Sequence, residues 1–176
     1  MKSLRLLAAI SIALSVDFAG ARTCFDDKNL TQLTPTRAEQ RPVLIYVWSP
    51  RMVYSVQNMA LASRAAAAAG MAFVALHDSR VPPDELTQMQ PPLEQVFAQI
   101  HAPIKIDANT DRATPPFVSP ANFSQPLCAK PLLQREALRH FPTAFVLTTK
   151  GIHAQPIVGA MPLAAWQLSL GERLKP

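Results

Sequence analysis

The sequence predicts an α/β fold with a central mixed sheet of about four strands flanked by helices. Three observations support this prediction. An apolar run at Val43–Trp48 ends in a turn, and a second apolar run at residues 71–77 follows an alanine-rich segment. A third run, at residues 141–149, has Pro142 near its start. Short apolar runs rich in branched and aromatic residues, bounded by turn residues, are typical of buried strands.

The first two runs are expected to form a strand-helix-strand unit. Ser49 is a good N-cap and Pro50 suits the first helical position, so we expect a helix to begin there. Alanine-rich sequence favours that helix as far as Ala69, and Gly70 is a natural stop. A crossover of this length is typical of two parallel strands.

The middle of the chain, residues 80–135, reads as an insertion-rich region. Helix is predicted in two pieces, at 84–86 and 91–100, because Pro91 and Pro92 interrupt the pattern. Residues 104–106 are a candidate short strand, and 107–135 a long proline-rich loop. Near the N-terminus, residues 30–33 are expected to add a short strand or turn.

The C-terminal third predicts a hairpin and a helix. Lys150 and Gly151 form a tight turn between the strand at 141–149 and a second strand at 152–158. Gly159 should end that strand, and Pro162 should open a terminal helix that continues to about Arg173.

The N-terminus has the pattern of a secretory signal. Lys2 and Arg5 precede an apolar run at 6–16, and small residues end at Ala21. We therefore expect residues 1–21 to be a signal peptide, residues 22–176 to form a single domain, and the protein to be periplasmic or secreted. Retention of the signal as a membrane anchor is the alternative, and only then would the protein contact a membrane.

The charge of the chain bears on nucleic-acid binding, and its cysteine content bears on redox chemistry. The formal charge is +5, but no run of Lys or Arg concentrates it, so no nucleic-acid partner is expected. Two cysteines, Cys24 and Cys128, are present. In an exported protein they favour one structural disulfide. A displaced redox pair is the alternative.

The order of these elements resembles that of the thioredoxin superfamily. The resemblance is carried by Trp48 and its turn, by Pro142 before a strand, and by Gly159, and it covers about residues 40–173. Where the family reads W-C-x-x-C, this chain reads Trp48, Ser49, Pro50, Arg51, Met52. Ser49 and Met52 thus stand at the nucleophilic and resolving cysteines, so no catalytic residue and no dithiol chemistry are expected at the usual site.

The resemblance also implies a binding groove. In the family the proline bond is cis and the backbone beside it pairs with an extended partner. The corresponding groove here would involve Trp48, Arg51, Phe141 and Pro142, lined or supported by Tyr46, Met52 and Tyr54. We therefore predict a redox-inactive protein that binds an unidentified protein or peptide in the cell envelope. The alternative is a thiol-disulfide oxidoreductase that uses Cys24 and Cys128 unconventionally.

A third possible class of function is a metal carrier. Methionine and histidine are suitable ligands for Cu(I). Their spacing in this chain is not that of a metal site, so no metal and no other cofactor is expected. The candidate ligands are Met52, Met59, His77, His153 and Met161. If they converged at one exposed spot, a metal function would become the better interpretation.

Overall fold

The computed structural model describes residues 24–36, 41–101 and 125–175. The predicted signal peptide and the candidate strand at 104–106 lie outside these ranges. The elements are, in order, α1 Asp27–Leu33, β1 Val43–Trp48, α2 Val53–Gln57, α3 Met59–Ala68, β2 Ala72–His77, α4 Pro83–Gln88, α5 Gln90–His101, α6 Lys130–Leu133, a 3₁₀ helix Glu136–Arg139, β3 Thr143–Thr148, β4 Gly151–Ile152, β5 Ile157–Val158 and α7 Leu163–Arg173. Among these, no helix is long and apolar enough to span a bilayer.

A mixed sheet forms the centre of the protein, as the sequence predicts. The strands lie in the order β2-β1-β3-β4, and β5 also pairs with β3. β1 and β2 are parallel, with Val43 opposite Ala72. β1 and β3 are antiparallel, with Val47 opposite Thr143. This register sets the position of the proline that precedes β3.

Both faces of β1 are buried, which explains why it reads as a continuous apolar run. Leu44, Tyr46 and Trp48 face a core completed by α3, α5 and α7. Their neighbours Val43, Ile45 and Val47 face a second core with α1 and α6. Successive strand residues point to opposite faces, so a strand between two helical layers needs apolar side chains at every position.

The helix after β1 begins later than predicted. Ser49 is not its N-cap, because the helix starts at Val53 and Met52 occupies the cap position. Residues 49–52 instead form a turn, closed by a hydrogen bond of 3.0 Å from the Met52 N–H to the Ser49 carbonyl. The helix is also divided, since α2 ends at Gln57 and α3 begins at Met59.

The N-terminal segment is helical, so the prediction of a strand or turn at 30–33 is wrong. Asp26 and Asn29 form a reciprocal capping box, with both backbone-to-side-chain hydrogen bonds at 3.0 Å. Because these two bonds satisfy amides that a nascent helix leaves free, they favour α1 despite its short length. The sequence carries this signal, as an Asp three residues before an Asn.

The predicted long strand at 152–158 is two short strands, β4 and β5. The His153 N–H still donates to the Val146 carbonyl of β3 at 2.8 Å. Residues 154–156 have no partner in the ladder with β3, and Pro156 has no N–H to donate to it. Gly159 has a φ of 95° and ends β5 as expected. The terminal helix is confirmed, with Pro162 at its N-cap.

Candidate functional site

The candidate site lies where β1 ends beside the start of β3. Because Thr143 pairs with Val47, the antiparallel register brings Pro142 beside Trp48 and Phe141 beside Ser49. The Phe141–Pro142 peptide bond is cis, as the resemblance implies. Thr143 hydrogen-bonds through its hydroxyl to the carbonyls of Ala137 and His140, which holds the chain that leads into the proline.

Trp48 lies inside the protein and not on a groove surface. Its exposed fraction is 0%, and its ring packs edge-on against His77 on β2, with the ring centroids 6.0 Å apart. Tyr46 is equally buried, and this burial raises the pKa of its phenol. Trp48 therefore supports the site from beneath, and the expectation that it contacts a partner directly does not fit its position. Pro142 is also buried.

Ser55 organises the turn that replaces the redox motif. Its buried hydroxyl accepts the Ser49 N–H at 3.1 Å. The same oxygen lies 2.8 Å from the Ser49 carbonyl and 2.6 Å from the Met52 carbonyl, to one of which it donates. The carbonyl of Ser55 accepts the Tyr46 hydroxyl at 2.6 Å. Sequence analysis missed this residue, because a serine inside a helical pattern carries no distinct signal.

The turn buries Ser49 and Pro50 and exposes residues 51–54. Ser49 has an exposed fraction of 2%, whereas Met52, Val53 and Tyr54 are 44%, 58% and 69% exposed. Three consecutive large apolar residues at the surface are unusual, since apolar surface is normally buried or covered by a partner. We call residues 52–54 the exposed apolar segment.

This burial pattern predicts the reactivity of thiols introduced into the turn. We expect a thiol introduced by Met52→Cys to react quickly with an aromatic disulfide reagent, and one introduced by Ser49→Cys to react at least about tenfold more slowly, because access limits the reaction. Stopped-flow absorbance of each variant, with Cys24 and Cys128 oxidised, measures the two rates. Equal rates, or a faster thiol at position 49, would contradict the buried placement of Ser49.

Arg51 is at the surface but already has a partner. Its guanidinium binds the carboxylate of Glu85 on α4 through two hydrogen bonds of 2.8 and 2.7 Å. The hydrogen bond from Arg51 holds the pKa of Glu85 below its ordinary value, although partial desolvation opposes it. An acidic group of a partner would therefore have to compete with Glu85 for Arg51.

The Arg51–Glu85 pair predicts a pH-dependent contribution to stability. A carboxyl group with a lowered folded pKa stabilises above its unfolded pKa, and this contribution is lost as pH falls through the folded value. We expect the melting temperature of the natural protein to exceed that of Glu85→Gln near neutral pH. The difference should vanish as the pH falls through the folded pKa of Glu85, which lies below the ordinary value for a glutamate. Melting curves from pH 2.5 to 7 test this, and a difference that persists in acid would contradict it.

Phe141 has backbone groups that the rest of the fold does not use. Its N–H and C=O make no hydrogen bond within the described residues, whereas the adjacent Pro142 carbonyl accepts the Gly159 N–H at 2.8 Å. Phe141 is half-buried, and the Arg80 guanidinium lies 5.8 Å from its ring centroid. A free donor and a free acceptor on one residue can pair with an extended chain.

The predicted disulfide is confirmed, and it closes an extension of the sheet. Cys24 and Cys128 are bonded, with their Cα atoms 5.8 Å apart. Phe25 pairs with Leu127, and the 125–127 segment pairs in turn with His77 at the end of β2. Strand spacings of about 4.8 Å therefore place the two cysteines about 10–14 Å from Trp48 across the sheet.

The candidate metal ligands differ in burial and do not share one exposed spot. Met59 and His77 are buried, whereas Met52 is 44% exposed and Met161 is half-buried, with its backbone bonded to Asn58. Over the described ranges, no group of three or more His, Cys, Asp or Glu side chains is placed to hold a metal ion.

Together, the strand order, the parallel β1-helix-β2 crossover, the cis-proline before antiparallel β3 and the terminal helix are those of the thioredoxin-like fold. Comparison with known protein families gives no match, and comparison with curated proteins gives none either. Among solved structures, the chain is similar to a secreted Mycobacterium tuberculosis disulfide oxidoreductase, described as homologous to E. coli DsbE. The TM-score is 0.38 at 11% identity, covering 76% of this chain and 82% of the other.

Proposed function

We propose that the protein binds an extended segment of a partner protein beside Pro142, outside the cytoplasm and without dithiol chemistry at residues 49–52. The observation that carries this proposal is the backbone of Phe141 next to the cis-proline, whose N–H and C=O have no hydrogen-bond partner among the residues that the structure describes. In an antiparallel pair, one residue both donates through its N–H and accepts through its C=O to a single residue opposite, so these two groups can serve one residue of an added strand. Main-chain pairing of this kind supplies affinity without requiring a particular partner sequence.

The exposed apolar segment supports the same proposal. The turn at residues 49–52 follows directly on the end of β1, beside which Phe141 lies, so residues 52–54 are near the free backbone groups. Aromatic and methionine side chains are enriched at protein interfaces. Aromatic rings bury much apolar area with few conformations to lose, and the flexible methionine adapts to the shape of its partner. In this arrangement Phe141 pairs with the partner backbone, and Met52, Val53 and Tyr54 contact its side chains.

The disulfide supports a location outside the cytoplasm. Disulfides persist in oxidising compartments and are rare where thiols are kept reduced. Together with the signal-like pattern of residues 1–21, the Cys24–Cys128 bond favours a periplasmic or secreted protein that acts in the cell envelope.

Site-specific photocrosslinking in the native host tests partner binding. A benzophenone amino acid is placed at Tyr54 or, as a matched control, at Leu168 on α7. These positions are 69% and 68% exposed, so accidental collisions should label both equally. We expect a discrete adduct from position 54 and none from position 168. Equal labelling of both positions, or no adduct from position 54, would contradict the proposal.

A second candidate is a thiol-disulfide oxidoreductase that uses Cys24 and Cys128. One observation favours it: both residues are only half-buried, so a reductant could reach the sulfurs. Two observations support a structural bond instead. The cysteines lie about 10–14 Å from Trp48 across the sheet. Their two segments are also held together by backbone hydrogen bonds, from the Phe25 N–H to the Pro126 carbonyl at 2.9 Å and from the Cys128 N–H to the Phe25 carbonyl at 2.8 Å.

A further inference from the structure

A pocket of about 450 Å³ opens at the carboxyl ends of β1 and β2, on the face of the sheet toward which Val47 points. The buried Trp48 points to the opposite face. The far wall of the pocket comes from residues 133–141, the 3₁₀ helix and its flanks. Its volume falls within the range of about 300–1,000 Å³ that small-molecule sites occupy.

One part of the pocket wall is apolar. Val47 and Leu127 line its base, and Leu138 and Phe141 line its side. Leu127 and Leu138 belong to the core between the sheet and α6, so this part is fixed by packing. Such a wall suits an aliphatic or aromatic body.

The arginines in the pocket wall differ in whether they form ion pairs. Arg80 is committed, because it binds the Asp78 carboxylate at 2.8 Å and the Leu138 carbonyl at 3.2 Å. Arg135 and Arg139 also line the pocket, and neither forms an ion pair with any residue that the structure describes. Three arginines and two carboxylates line the pocket, since Glu136 joins Asp78, and this leaves one net positive charge.

We propose that this pocket binds a small organic carboxylate with an apolar body. The carboxylate would be held by Arg135 and Arg139, whose planar guanidinium groups bind carboxylates through paired hydrogen bonds. The body would lie against Leu127, Leu138 and Phe141. Asp78 does not compete with the ligand for Arg135 and Arg139, because the Asp78 carboxylate is already bound to Arg80. The pocket uses the side chain of Phe141, whereas the proposed partner site uses its backbone, and none of residues 52–54 lines the pocket.

Calorimetric titration of the whole chain with 4-phenylbutyrate and octanoate tests the proposal, with 4-phenylbutyramide as the uncharged control. We expect saturable one-site binding of at least one acid. The amide should bind at least about tenfold more weakly, because it cannot form the charge-assisted hydrogen bonds. Absence of saturable binding by both acids at roughly millimolar concentration, or equal binding of acid and amide, would overturn the proposal.

Variants assign the binding to this pocket. Arg135→Gln with Arg139→Gln should weaken acid binding at least about tenfold. Arg64→Gln, on the exposed side of α3, should leave it unchanged. Unchanged urea midpoints would show that each variant is folded. Unaltered binding in the double variant, or equal losses in all variants, would overturn the assignment.

The carboxylate could come from a free acid or from the C-terminus of a peptide. Titration with a tripeptide ending in phenylalanine, as the free acid and as the C-terminal amide, distinguishes the two sources. A peptide acid that binds tighter than both small acids assigns the site to protein C-termini. Weaker binding of the peptide assigns it to free small acids, and both results support carboxylate recognition.

Discussion

Asn58→Ala is expected to destabilise the protein by about 3 kcal/mol or more. Asn58 is buried at the junction of α2 and α3, and its amide joins that junction to the C-terminal part of the chain. It donates to the Met161 carbonyl at 2.8 Å and accepts the Trp166 indole N–H at 2.7 Å. The Met161 N–H approaches the same oxygen at 3.3 Å. Removing the amide leaves these groups without partners, at a cost of about 1–3 kcal/mol for each buried one.

Urea unfolding measures this effect as a lower midpoint with an unchanged slope. Gln57→Ala, at the exposed neighbouring position, is the matched control and should change stability by less than about 0.5 kcal/mol. Asn58→Asp is a sharper probe, because a carboxylate retains the acceptor but loses the donor to Met161. Its loss of stability should shrink in acid, where a protonated carboxyl can donate again. Similar effects of Asn58→Ala and Gln57→Ala would contradict the anchoring role.

The second large effect is expected from Cys24→Ser with Cys128→Ser. The disulfide links residues 104 apart in sequence. In the chain-entropy model, removing a crosslink that closes a loop of about 100 residues costs about 4–5 kcal/mol. Hydrogen exchange should rise first in α1 and in residues 125–134, because the bond holds these two segments together at the edge of the sheet.

Reduced natural protein is the control for this double variant, since both lack the crosslink and should unfold at the same urea concentration. If oxidised and reduced natural protein were equally stable, the disulfide would not be a structural crosslink. The remaining contacts of the segment, such as the 2.7 Å hydrogen bond from the Lys130 N–H to Asp27, would then suffice to hold it.

The central sheet can be predicted from the sequence, because each of its main strands is indicated by residues that are neighbours in the chain. The apolar run of β1, the alanine-rich helix and the proline before β3 each show their role within a few residues. The expected strand or turn at 30–33 differs from the observed α1, although the capping box of Asp26 and Asn29 is visible in the sequence. The helix after β1 was misplaced because Ser49 and Pro50 have good capping propensity, but the Ser55 hydroxyl bonds back to the turn and moves the start to Val53.

The features that sequence analysis could not find depend on residues far apart in the chain. Asn58 gains its role from Met161 and Trp166, which lie 103 and 108 positions away. Glu85 meets Arg51 only because α4 packs near the turn. The arginine-lined pocket likewise joins the end of β2 to the 3₁₀ helix. No periodicity or local spacing encodes such contacts, so they require the structure.

The central claim is that the protein acts without dithiol redox chemistry, with Cys24–Cys128 as a structural bond. The most direct measurement is a thiol count before and after mild reduction of protein from the oxidising compartment, coupled to an insulin-reduction assay. We expect no free thiol before reduction, a Cys24–Cys128 bond that resists mild reductant, and no turnover of insulin. A labile bond with measurable turnover would contradict the account and make Cys24 and Cys128 the active site of an oxidoreductase.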